Sequence, residues 1–267
     1  MGYIMKTILI TGTASGIGKE TKNKFLSSGY SVIGIDKTQE NSDGGFISFS
    51  CDISNEESLK KVEEYIINNN IMLDGIINIA GIHKMVSLVE TEFKDLKKVI
   101  DINLLGPISV NRTFHKFLKP NGKIVIVTSE VAGFDPMPFN SIYNISKTAL
   151  DCYAQALRQE INLLNQKVIT IRPGSIKTPL SVGSLSSTEQ LSVDTKLYKE
   201  QASKFLNLTR KFMGKVISPE KVGKLIFKVY NKKNPKVCYK INRNILLSLL
   251  NLFPKKLQCF IIKAILK

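Results

Sequence analysis

Short apolar runs rich in β-branched residues alternate with longer segments of helical periodicity along most of this 267-residue sequence. Several of the runs are apolar on successive residues, which is typical of strands that are covered on both faces. This alternation predicts an α/β fold, with a parallel sheet of about seven strands and helices on both of its faces. The predicted strands cover residues 7–11, 31–35, 46–50, 75–79, 123–128, 168–171 and 237–241. The predicted helices cover residues 17–28, 56–69, about 90–118, 141–164 and 219–230.

The chain is predicted to form one domain over residues 1–243, since its length suits a single large core and no Pro-, Gly- or Ser-rich linker divides it. Residues 181–192 are rich in Ser, Gly and Thr. That composition predicts a mobile connection ahead of one or two helices that end near Phe212. Residues 244–267 form a predicted helical extension, a tail of two apolar segments on either side of Pro254.

The first predicted strand runs directly into a glycine-rich turn, Thr11-Gly-Thr-Ala-Ser-Gly-Ile-Gly18, and a predicted helix follows. Glycines let the chain turn tightly and let backbone N–H groups approach a pyrophosphate, while the helix N-terminus adds the positive end of its dipole. Strand, turn and helix in this order indicate a dinucleotide site in a Rossmann-type, doubly wound sheet. A purely structural turn is the alternative.

Asp36 ends the second predicted strand, 18 residues beyond Gly18. A carboxylate at this place can accept hydrogen bonds from the ribose hydroxyls of an adenosine, and it repels a 2′-phosphate. The position therefore favours NAD(H) over NADP(H), although Lys37 offsets part of the repulsion and keeps NADP(H) as an alternative. The alternative is a solvated Asp at the end of a strand, with no role in cofactor binding.

Ser129, Tyr143 and Lys147 form the candidate catalytic set. Tyr143 and Lys147 are four residues apart on a predicted helix, so they share one face. A free phenol has a pKa of about 10, and we expect the ammonium and an oxidised nicotinamide to lower it. Ser129 follows a predicted strand, at the carboxyl end where open α/β sheets bind ligands, and its hydroxyl could polarise a carbonyl. An ordinary surface pair is the alternative for Tyr143 and Lys147.

Four further features lie in the same linear order: Cys51-Asp-Ile53, Asn78-Ile-Ala-Gly81, Asn103 on a predicted helix, and Pro173-Gly174 with Ile176 and Thr178. With the glycine-rich turn and the Ser–Tyr–Lys set, they resemble the short-chain dehydrogenase/reductase family, in its single-domain subgroup, over roughly residues 6–178. Ser15 stands where NADP-preferring members often carry Lys or Arg. In one departure from the family pattern, 13 residues separate Ser129 from Tyr143 where 12 is commoner. We expect an insertion in the loop 130–140.

The resemblance implies an NAD(H)-dependent oxidoreductase that interconverts an alcohol and a ketone or aldehyde. It implies that Ser129 and Tyr143 bind the substrate oxygen, that Tyr143 exchanges its proton, and that Lys147 and Asn103 relay protons through water. The residues that it implies for cofactor binding are Gly12, Ser15, Gly16, Ile17, Gly18, Asp36, Asp52, Ile53, Asn78, Ala80, Gly81, Tyr143, Lys147, Pro173, Gly174, Ile176 and Thr178.

The two histidines and four cysteines are not expected to take part in the chemistry. His83 follows the Asn78–Gly81 motif and is interpreted as a surface histidine, with the rim of the cleft as the alternative; His115 is interpreted as structural. The cysteines are widely spaced without a CxxC pair, which predicts neither a metal site nor a disulfide framework and suits a reducing cytoplasm. We expect no signal peptide and no spanning helix, which needs ~20 apolar residues.

The segment at about 180–215 is predicted to be a substrate lid. Its apolar residues are Leu180, Leu185, Leu191, Leu197, Tyr198, Phe205, Leu206 and Phe212. They indicate an apolar cleft for a steroid-, retinoid- or lipid-like alcohol or ketone, unless they only pack the helices of the lid itself. Two further functions stay open. One is reduction of a polar or carrier-bound 3-oxoacyl substrate, and the other is dinucleotide binding without catalysis.

The formal net charge of +16 is concentrated near the C-terminus. Residues 221–267 hold 12 Lys and Arg and no acidic residue, whereas residues 1–220 hold 26 Lys and Arg against 22 Asp and Glu. A nearly neutral body without a nucleic-acid motif predicts no nucleic-acid partner. The basic, amphipathic tail suits a membrane interface, the mouth of an apolar cleft or a second subunit. A solvated basic face, or contact with an acidic partner, is the alternative.

Family members similar to retinol and 17β-hydroxysteroid dehydrogenases carry a comparable basic, Leu-rich extension. The resemblance therefore favours an apolar substrate for this chain. It also implies a homodimer or homotetramer. A cytoplasmic location is expected from the cysteine pattern, and peripheral membrane contact is one expectation from the amphipathic tail.

Overall fold

The computed structural model describes residues 5–212 and 216–267. Within these ranges seven parallel strands form one sheet in the order β3-β2-β1-β4-β5-β6-β7. The strands are β1 (Thr7–Thr11), β2 (Ser31–Asp36), β3 (Phe46–Ser50), β4 (Leu73–Asn78), β5 (Leu118–Val127), β6 (Lys167–Pro173) and β7 (Cys238–Ile241). The helices are α1 (Gly16–Leu26), α2 (Glu56–Asn68), α3 (Phe93–Ile100), α4 (Gly106–Phe114), α5 (Ser141–Asn162), α6 (Pro179–Asp194), α7 (Lys199–Phe212), α8 (Pro219–Tyr230), α9 (Ile245–Leu250) and α10 (Lys255–Leu266). The predicted fold class is confirmed.

The strand order reverses beside β1, which pairs with β2 on one side and with β4 on the other. Chain connections leave in opposite directions from this point, so a crevice opens at the carboxyl ends of the two strands. The glycine-rich turn follows β1 and the Asn78–Gly81 motif begins at the end of β4. The topology therefore brings these two motifs to the same crevice.

Successive residues of the strands enter different cores. Leu9 packs with Leu59 of α2 and Phe114 of α4, whereas Ile10 packs on the other face of the sheet with Phe25 of α1 and Ile226 of α8. Because both faces are covered by helices, adjacent residues of a strand are all buried. The continuous apolar runs seen in the sequence have this physical origin.

The single helix predicted at about 90–118 is interrupted. α3 and α4 are separated by a π-helical turn, Asp101–Leu105, and a 3₁₀ turn, His115–Phe117, follows α4. Pro107 has no N–H with which to bond the Asn103 carbonyl, and the Gly106 N–H donates to the Asp101 carbonyl five residues earlier. The wider turn places Asn103 at the point where the helix passes the crevice.

The mobile connection predicted at 181–192 is wrong, because these residues lie within α6. Thr178 and Ser181 form a capping box at the start of this helix, and Pro179 occupies its first turn. The hydroxyls of Ser187 and Thr188 donate to the Ser184 carbonyl, so they are satisfied inside the helix. The predicted end of the lid, residues 213–215, lies outside the described residues.

Candidate active site

A cleft of about 900 Å³ lies along the carboxyl ends of the strands. One end is lined by the glycine-rich turn and the end of β2, the middle by the ends of β4, β5 and β6, and the other end by α6, α7, α9 and α10. The volume is within the range of ligand-binding clefts in proteins. The predicted cofactor residues and the predicted lid therefore share one cavity.

The glycine-rich turn uses backbone angles that residues with a side chain rarely adopt. Gly12 and Gly16 have φ angles of +79° and +52°, in the left-handed region. A Cβ at Gly18 would lie 1.8 Å from the Gly12 carbonyl oxygen, so the helix can start this close to the strand only with glycine there. Gly12, Ser15, Gly16, Ile17 and Gly18 all line the cleft.

Asp36 lies at the cleft edge, beside the turn. Its carboxylate accepts hydrogen bonds from the N–H groups of Ala14, at 3.1 Å, and Thr38, at 2.9 Å. The neighbouring Lys37 forms an ion pair with Asp52, with 2.8 Å between Nζ and Oδ2. Lys37, which was expected to offset part of the repulsion between Asp36 and a 2′-phosphate, is thus paired with a different carboxylate.

Most of the other predicted cofactor residues line the same cleft. They are Asp52, Ile53, Ala80, Gly81, Tyr143, Lys147, Pro173, Gly174, Ile176 and Thr178. Thr178 closes against the glycine-rich turn, since a Cβ at Gly16 would lie 3.0 Å from its Cγ2. The N–H groups of Ile79 and Ala80 donate to the Thr11 hydroxyl. These hydrogen bonds attach the Asn78–Gly81 motif to the end of β1.

Asn78 and Asn103 are absent from the described residues that line the cleft. The Asn78 amide nitrogen donates to Asn111 at 2.8 Å, while its buried Oδ1 has no hydrogen-bond partner among the described residues. The side chain is thus engaged with α4, and cofactor contact by Asn78 stays a prediction from the motif. Its side chain is buried at the carboxyl end of the central strand, β4, and bonds to α4.

Asn103 acts on the segment that follows Gly81. Its Oδ1 accepts from the Ile82 N–H at 2.8 Å, and its amide donates to the Ile82 carbonyl at 2.9 Å and to Ser146 Oγ at 3.0 Å. A Cβ at Gly81 would lie 3.0 Å from Asn103 Oδ1 and 3.3 Å from Lys147 Nζ. Asn103 and Lys147 therefore both border Gly81, but the Asn103 side chain is already engaged.

Ser129, Tyr143 and Lys147 are brought together and buried. Ser129 follows β5 and caps a 3₁₀ turn, Glu130–Gly133, where its Oγ accepts from the Val131 N–H at 3.4 Å. Tyr143 lies in the first turn of α5 and Lys147 in the next turn, with Nζ 6.0 Å from the centre of the phenol ring. Lys147 Nζ also donates to the Val127 carbonyl at 3.3 Å. The predicted constellation thus exists at the carboxyl end of β5.

The predicted lowering of the Tyr143 pKa is not produced by the protein alone. Burial raises the pKa of Tyr143 to about 12, against the opposing effect of the Ser129 hydrogen bond. Burial also lowers the pKa of Lys147 to about 8. Removing both groups from water disfavours their charged forms, and this outweighs the ammonium 6.0 Å from the ring.

His83 is in the cleft, so its interpretation as a surface histidine is wrong. Its ring stacks on that of Tyr143, and its Nε2 is 2.7 Å from Asn140 Oδ1. Burial lowers the pKa of His83 to about 4, which leaves the ring neutral at pH 7. Its position two residues after Gly81 was the only signal in the sequence. His115 bonds to Gln166 Oε1, in agreement with a structural role.

The far end of the cleft is apolar, and the tail forms part of it. The apolar side chains lining this end are Met85, Met137, Leu180, Leu185, Phe205, Leu208, Leu246, Leu247, Leu250, Phe253, Ile261, Ile262, Ile265 and Leu266. Of the predicted lid residues, Leu191 and Phe205 pack with Phe139 and Leu266 in one buried cluster, while Leu180, Leu185 and Phe205 line the cleft. The apolar residues of the lid therefore both line the cleft and pack its helices.

Two acidic residues in the loop 130–140 attach the tail, and sequence reasoning did not identify either. Glu130 Oε2 accepts from the Asn244 N–H at 2.7 Å. The Asp135 N–H donates to Asn251 Oδ1 at 2.6 Å, and its Oδ2 accepts from Gln258 Nε2 at 3.1 Å. The loop that follows Ser129 thus positions both helices of the tail.

Among residues 5–212 and 216–267, no group of three His, Cys, Asp or Glu side chains is placed to hold a metal ion. In the same part of the chain, no helix has the length and apolar character needed to cross a bilayer.

The sequence matches the family model described as short chain dehydrogenase over residues 6–189. It is 31% identical over 195 residues to the NADPH-dependent 1-acyldihydroxyacetone phosphate reductase of Schizosaccharomyces pombe, covering 70% of this chain and 66% of that protein, just under two thirds of its length. It is 26% identical to the 3-ketodihydrosphingosine reductase of Bacteroides thetaiotaomicron, over 85% of this chain and 84% of that one. It is 29% identical to the 3-oxoacyl-[acyl-carrier-protein] reductase of Thermotoga maritima, over 83% and 88%.

Solved structures share the fold. A short chain dehydrogenase family protein from Francisella tularensis superimposes with a TM-score of 0.74 and 23% identity, over 89% of this chain and 97% of that chain. A 3-ketoacyl-(acyl-carrier-protein) reductase from Brucella melitensis, complexed with NADH, gives a TM-score of 0.71 and 19% identity, over 88% and 96%.

Proposed function

Because the chain belongs to the short-chain dehydrogenase family, we propose that it is an NAD(H)-dependent oxidoreductase acting on the carbonyl or alcohol group of an apolar, lipid-like substrate. The main support is the buried set of Ser129, Tyr143 and Lys147, which lies between a glycine-rich turn and an apolar chamber within one cleft. A dinucleotide needs the glycine-rich turn, and a lipid-like substrate needs the apolar chamber.

The residues fit a nicotinamide dinucleotide. The backbone of the glycine-rich turn and the N-terminus of α1 would bind the pyrophosphate, since Gly12, Gly16 and Gly18 line the cleft without a side chain that would keep the ligand away. Asp52 and Ile53 would lie beside the adenine, and Lys147 beside the nicotinamide ribose. Two segments would enclose the nicotinamide end of the cofactor. One contains Pro173, Gly174, Ile176 and Thr178, and the other contains Ala80 and Gly81.

Three observations support NAD(H) over NADP(H). The Asp36 carboxylate is held at the cleft edge by two backbone N–H groups, where it would meet the ribose hydroxyls and repel a 2′-phosphate. The Lys37 ammonium is paired with Asp52, and Ser15 carries no charge. NADP(H) is the alternative, and the relative from S. pombe is named as NADPH-dependent.

The bound nicotinamide would supply or accept a hydride. Ser129 and Tyr143 would orient the substrate oxygen by hydrogen bonds, and the phenol would give or take its proton. Since burial raises the pKa of Tyr143 to about 12, the phenol is a proton donor throughout the neutral range. The resting protein therefore holds Tyr143 in the protonated form with which the reduction of a carbonyl would begin. Asn103 would support the reaction by fixing the Ile82 backbone beside Gly81.

The apolar chamber supports a lipid-like ketone as substrate. Its wall contains side chains from Met85, Leu185, Phe205, Leu250 and Ile262, which favour a hydrocarbon chain over a sugar. Two relatives are named as reductases of an acyl-bearing and of a sphingosine-derived ketone. A carrier-bound 3-oxoacyl group is the second candidate, supported by the T. maritima relative and by a basic tail that could meet an acidic carrier.

The test is a turnover assay of the purified chain with NADH and with NADPH. The panel would contain 1-acyldihydroxyacetone phosphate, 3-ketodihydrosphingosine, a steroid ketone, retinal, an aldose and a 3-oxoacyl group on its carrier or as a soluble thioester. We expect NADH oxidation with one of the long-chain ketones. Turnover confined to the carrier-bound substrate would favour the second candidate. NADH binding without turnover on any member would favour dinucleotide binding without catalysis.

A further inference from the structure

The tail has two apolar sides. One side of α9 and α10 lines the cleft with Leu247, Leu250, Ile262 and Leu266. The opposite side of α9 and the turn after it carries Ile245, Leu249 and Leu252, spaced four and three residues apart, and all three are exposed. Because the inner residues already fill the cleft wall, the outer residues are not needed for packing against the rest of the chain.

The outer side of α10 adds positive charge to this apolar stripe. Lys256, Phe260, Lys263 and Lys267 follow one another at intervals of three or four residues, and all are exposed. The seven residues Ile245, Leu249, Leu252, Lys256, Phe260, Lys263 and Lys267 are called the outer tail surface below. Its pattern of apolar and cationic side chains along short helices is typical of segments that lie in a lipid interface.

Polar contacts at several points hold the tail in this orientation. Glu130 binds the first residue of the tail, and Asp135 binds Asn251 and Gln258. Lys204 Nζ of α7 donates to the backbone oxygen of Lys267 at 2.6 Å. The exposure of the outer tail surface is therefore a fixed property of the fold rather than the result of a loosely attached end.

We propose that the outer tail surface docks on an anionic lipid bilayer. Isolated exposed apolar residues need no explanation, but exposed apolar residues that recur at helical spacing along consecutive helices indicate a binding surface. The tail itself, residues 244–267, contains four Lys and no Asp or Glu, so its charge complements anionic headgroups. A second copy of the chain would instead place two cationic surfaces against each other, which is unfavourable.

The same docking would give the cleft access to the bilayer. Leu246, Phe253 and Ile265 line the cleft and are also about half exposed, so the cleft opens to solvent beside the tail. A lipid-like substrate could pass from the bilayer to the apolar chamber past these side chains. This consequence rests on the proposed function, whereas the docking itself does not.

The test is co-sedimentation of the full chain with vesicles of phosphatidylcholine alone and of phosphatidylcholine mixed with phosphatidylglycerol. We expect binding to the mixed vesicles only, weakening as salt is added, because Lys–headgroup attraction is screened. The double variant Leu249→Gln/Leu252→Gln is expected to bind about tenfold more weakly, since two apolar side chains no longer enter the interface. Lys256→Gln/Lys263→Gln is expected to lose about tenfold or more.

A matched control distinguishes an effect of the outer tail surface from a general effect of removing exposed leucines. Leu163 and Leu164, 83% and 54% exposed, resemble Leu252 and Leu249, 78% and 51% exposed. They follow the C-terminus of α5 and precede β6, at the edge of the sheet opposite the cleft. Leu163→Gln/Leu164→Gln should bind vesicles as the unchanged chain does, and thermal unfolding of every variant would show that each is folded.

Equal sedimentation of Leu249→Gln/Leu252→Gln and the unchanged chain would overturn the proposal. So would binding to neutral and anionic vesicles alike. Light scattering without vesicles supplies another contrary outcome: a dimer that Leu249→Gln/Leu252→Gln converts to a monomer would assign the surface to self-association. None of these measurements uses turnover, so an inactive chain that binds anionic vesicles would refute the proposed chemistry and leave this inference standing.

Discussion

The imidazole of His83 stacks on the phenol of Tyr143, with ring centres 3.9 Å apart and ring planes inclined by 28°. The imidazole covers one face of the phenol and is itself fixed by Asn140. Because burial lowers the pKa of His83 to about 4, the ring brings contact area to Tyr143 but no positive charge at neutral pH. The pair therefore restricts where the phenolic hydroxyl can point.

Replacing His83 with Ala should reduce turnover by about tenfold, because a phenol that can rotate spends less time in the reactive geometry. His83→Phe retains an aromatic ring and should keep most of the activity. Steady-state assays would show the loss in kcat while the Kd for NADH stays unchanged. Equal activity of the Ala and Phe variants would mean that the stacked ring has no positioning role.

Tyr143→Phe removes the proton donor and keeps the ring. We expect turnover to fall by at least about 10²-fold, the ordinary contribution of a general acid. NADH binding, measured by calorimetry, should change little because the hydroxyl is not expected to bind the dinucleotide phosphates. Retained turnover would refute the catalytic assignment.

The pH dependence follows from two buried groups. Burial raises the pKa of Tyr143 to about 12 and lowers the pKa of Lys147 to about 8. The phenol stays protonated across neutral pH, while Lys147 loses its charge as the pH rises through about 8. We expect kcat/KM for ketone reduction to be level below about pH 8 and to decline above it, whereas alcohol oxidation should accelerate with rising pH. A reduction profile that climbs between about pH 6 and about pH 8 would contradict this account.

Asp36→Asn tests the cofactor preference by removing the charge. The Ala14 and Thr38 N–H groups donate to different oxygens of the Asp36 carboxylate, so the single amide oxygen of Asn can keep one of these two hydrogen bonds. Removing the charge should relieve repulsion of a 2′-phosphate, so the ratio of kcat/KM for NADPH to that for NADH should rise about tenfold. An unchanged ratio would show that another residue selects the cofactor.

Two glycine substitutions should have opposite effects. Gly18→Ala places a Cβ 1.8 Å from the Gly12 carbonyl oxygen, so the turn must shift, and we expect NADH binding to be lost and the Tm to fall. At Gly183, on the exposed side of α6, a Cβ meets no described heavy atom within 4 Å. Gly183→Ala should stabilise the fold by about 0.5–1 kcal/mol. Equal Tm values for the two variants would contradict the close strand–helix contact.

The sheet could be predicted from the sequence because Leu9 and Ile10, like Ile76 and Ile77, are consecutive apolar residues that enter two different cores. The site could be predicted because its residues follow strands at fixed places, such as Ser129 after β5. Tyr143 and Lys147 needed only helical spacing. Local pattern and topology were sufficient for these.

Other features depend on contacts between distant residues. The Ser- and Thr-rich stretch of α6 resembles a loop in composition, yet the Ser187 and Thr188 hydroxyls bond within the helix, and Ser187 also accepts from the Met85 N–H. The pKa of Tyr143 depends on burial, which no spacing rule contains. The place of His83 depends on the backbone that Asn103 holds at Ile82.

Glu130 directly follows Ser129 in the chain, and its carboxylate holds Asn244, 114 residues away. A displacement of the last two helices would therefore move Glu130 and, one peptide unit away, Ser129. The Ser129 hydroxyl is expected to contact the reacting oxygen. Loop and C-terminal segment consequently form one mechanical unit that cannot be exchanged piecemeal. A chimera that receives this segment from a relative, but not the matching loop, would contain the apolar side chains of the segment. It would lack the contacts that position them relative to Ser129.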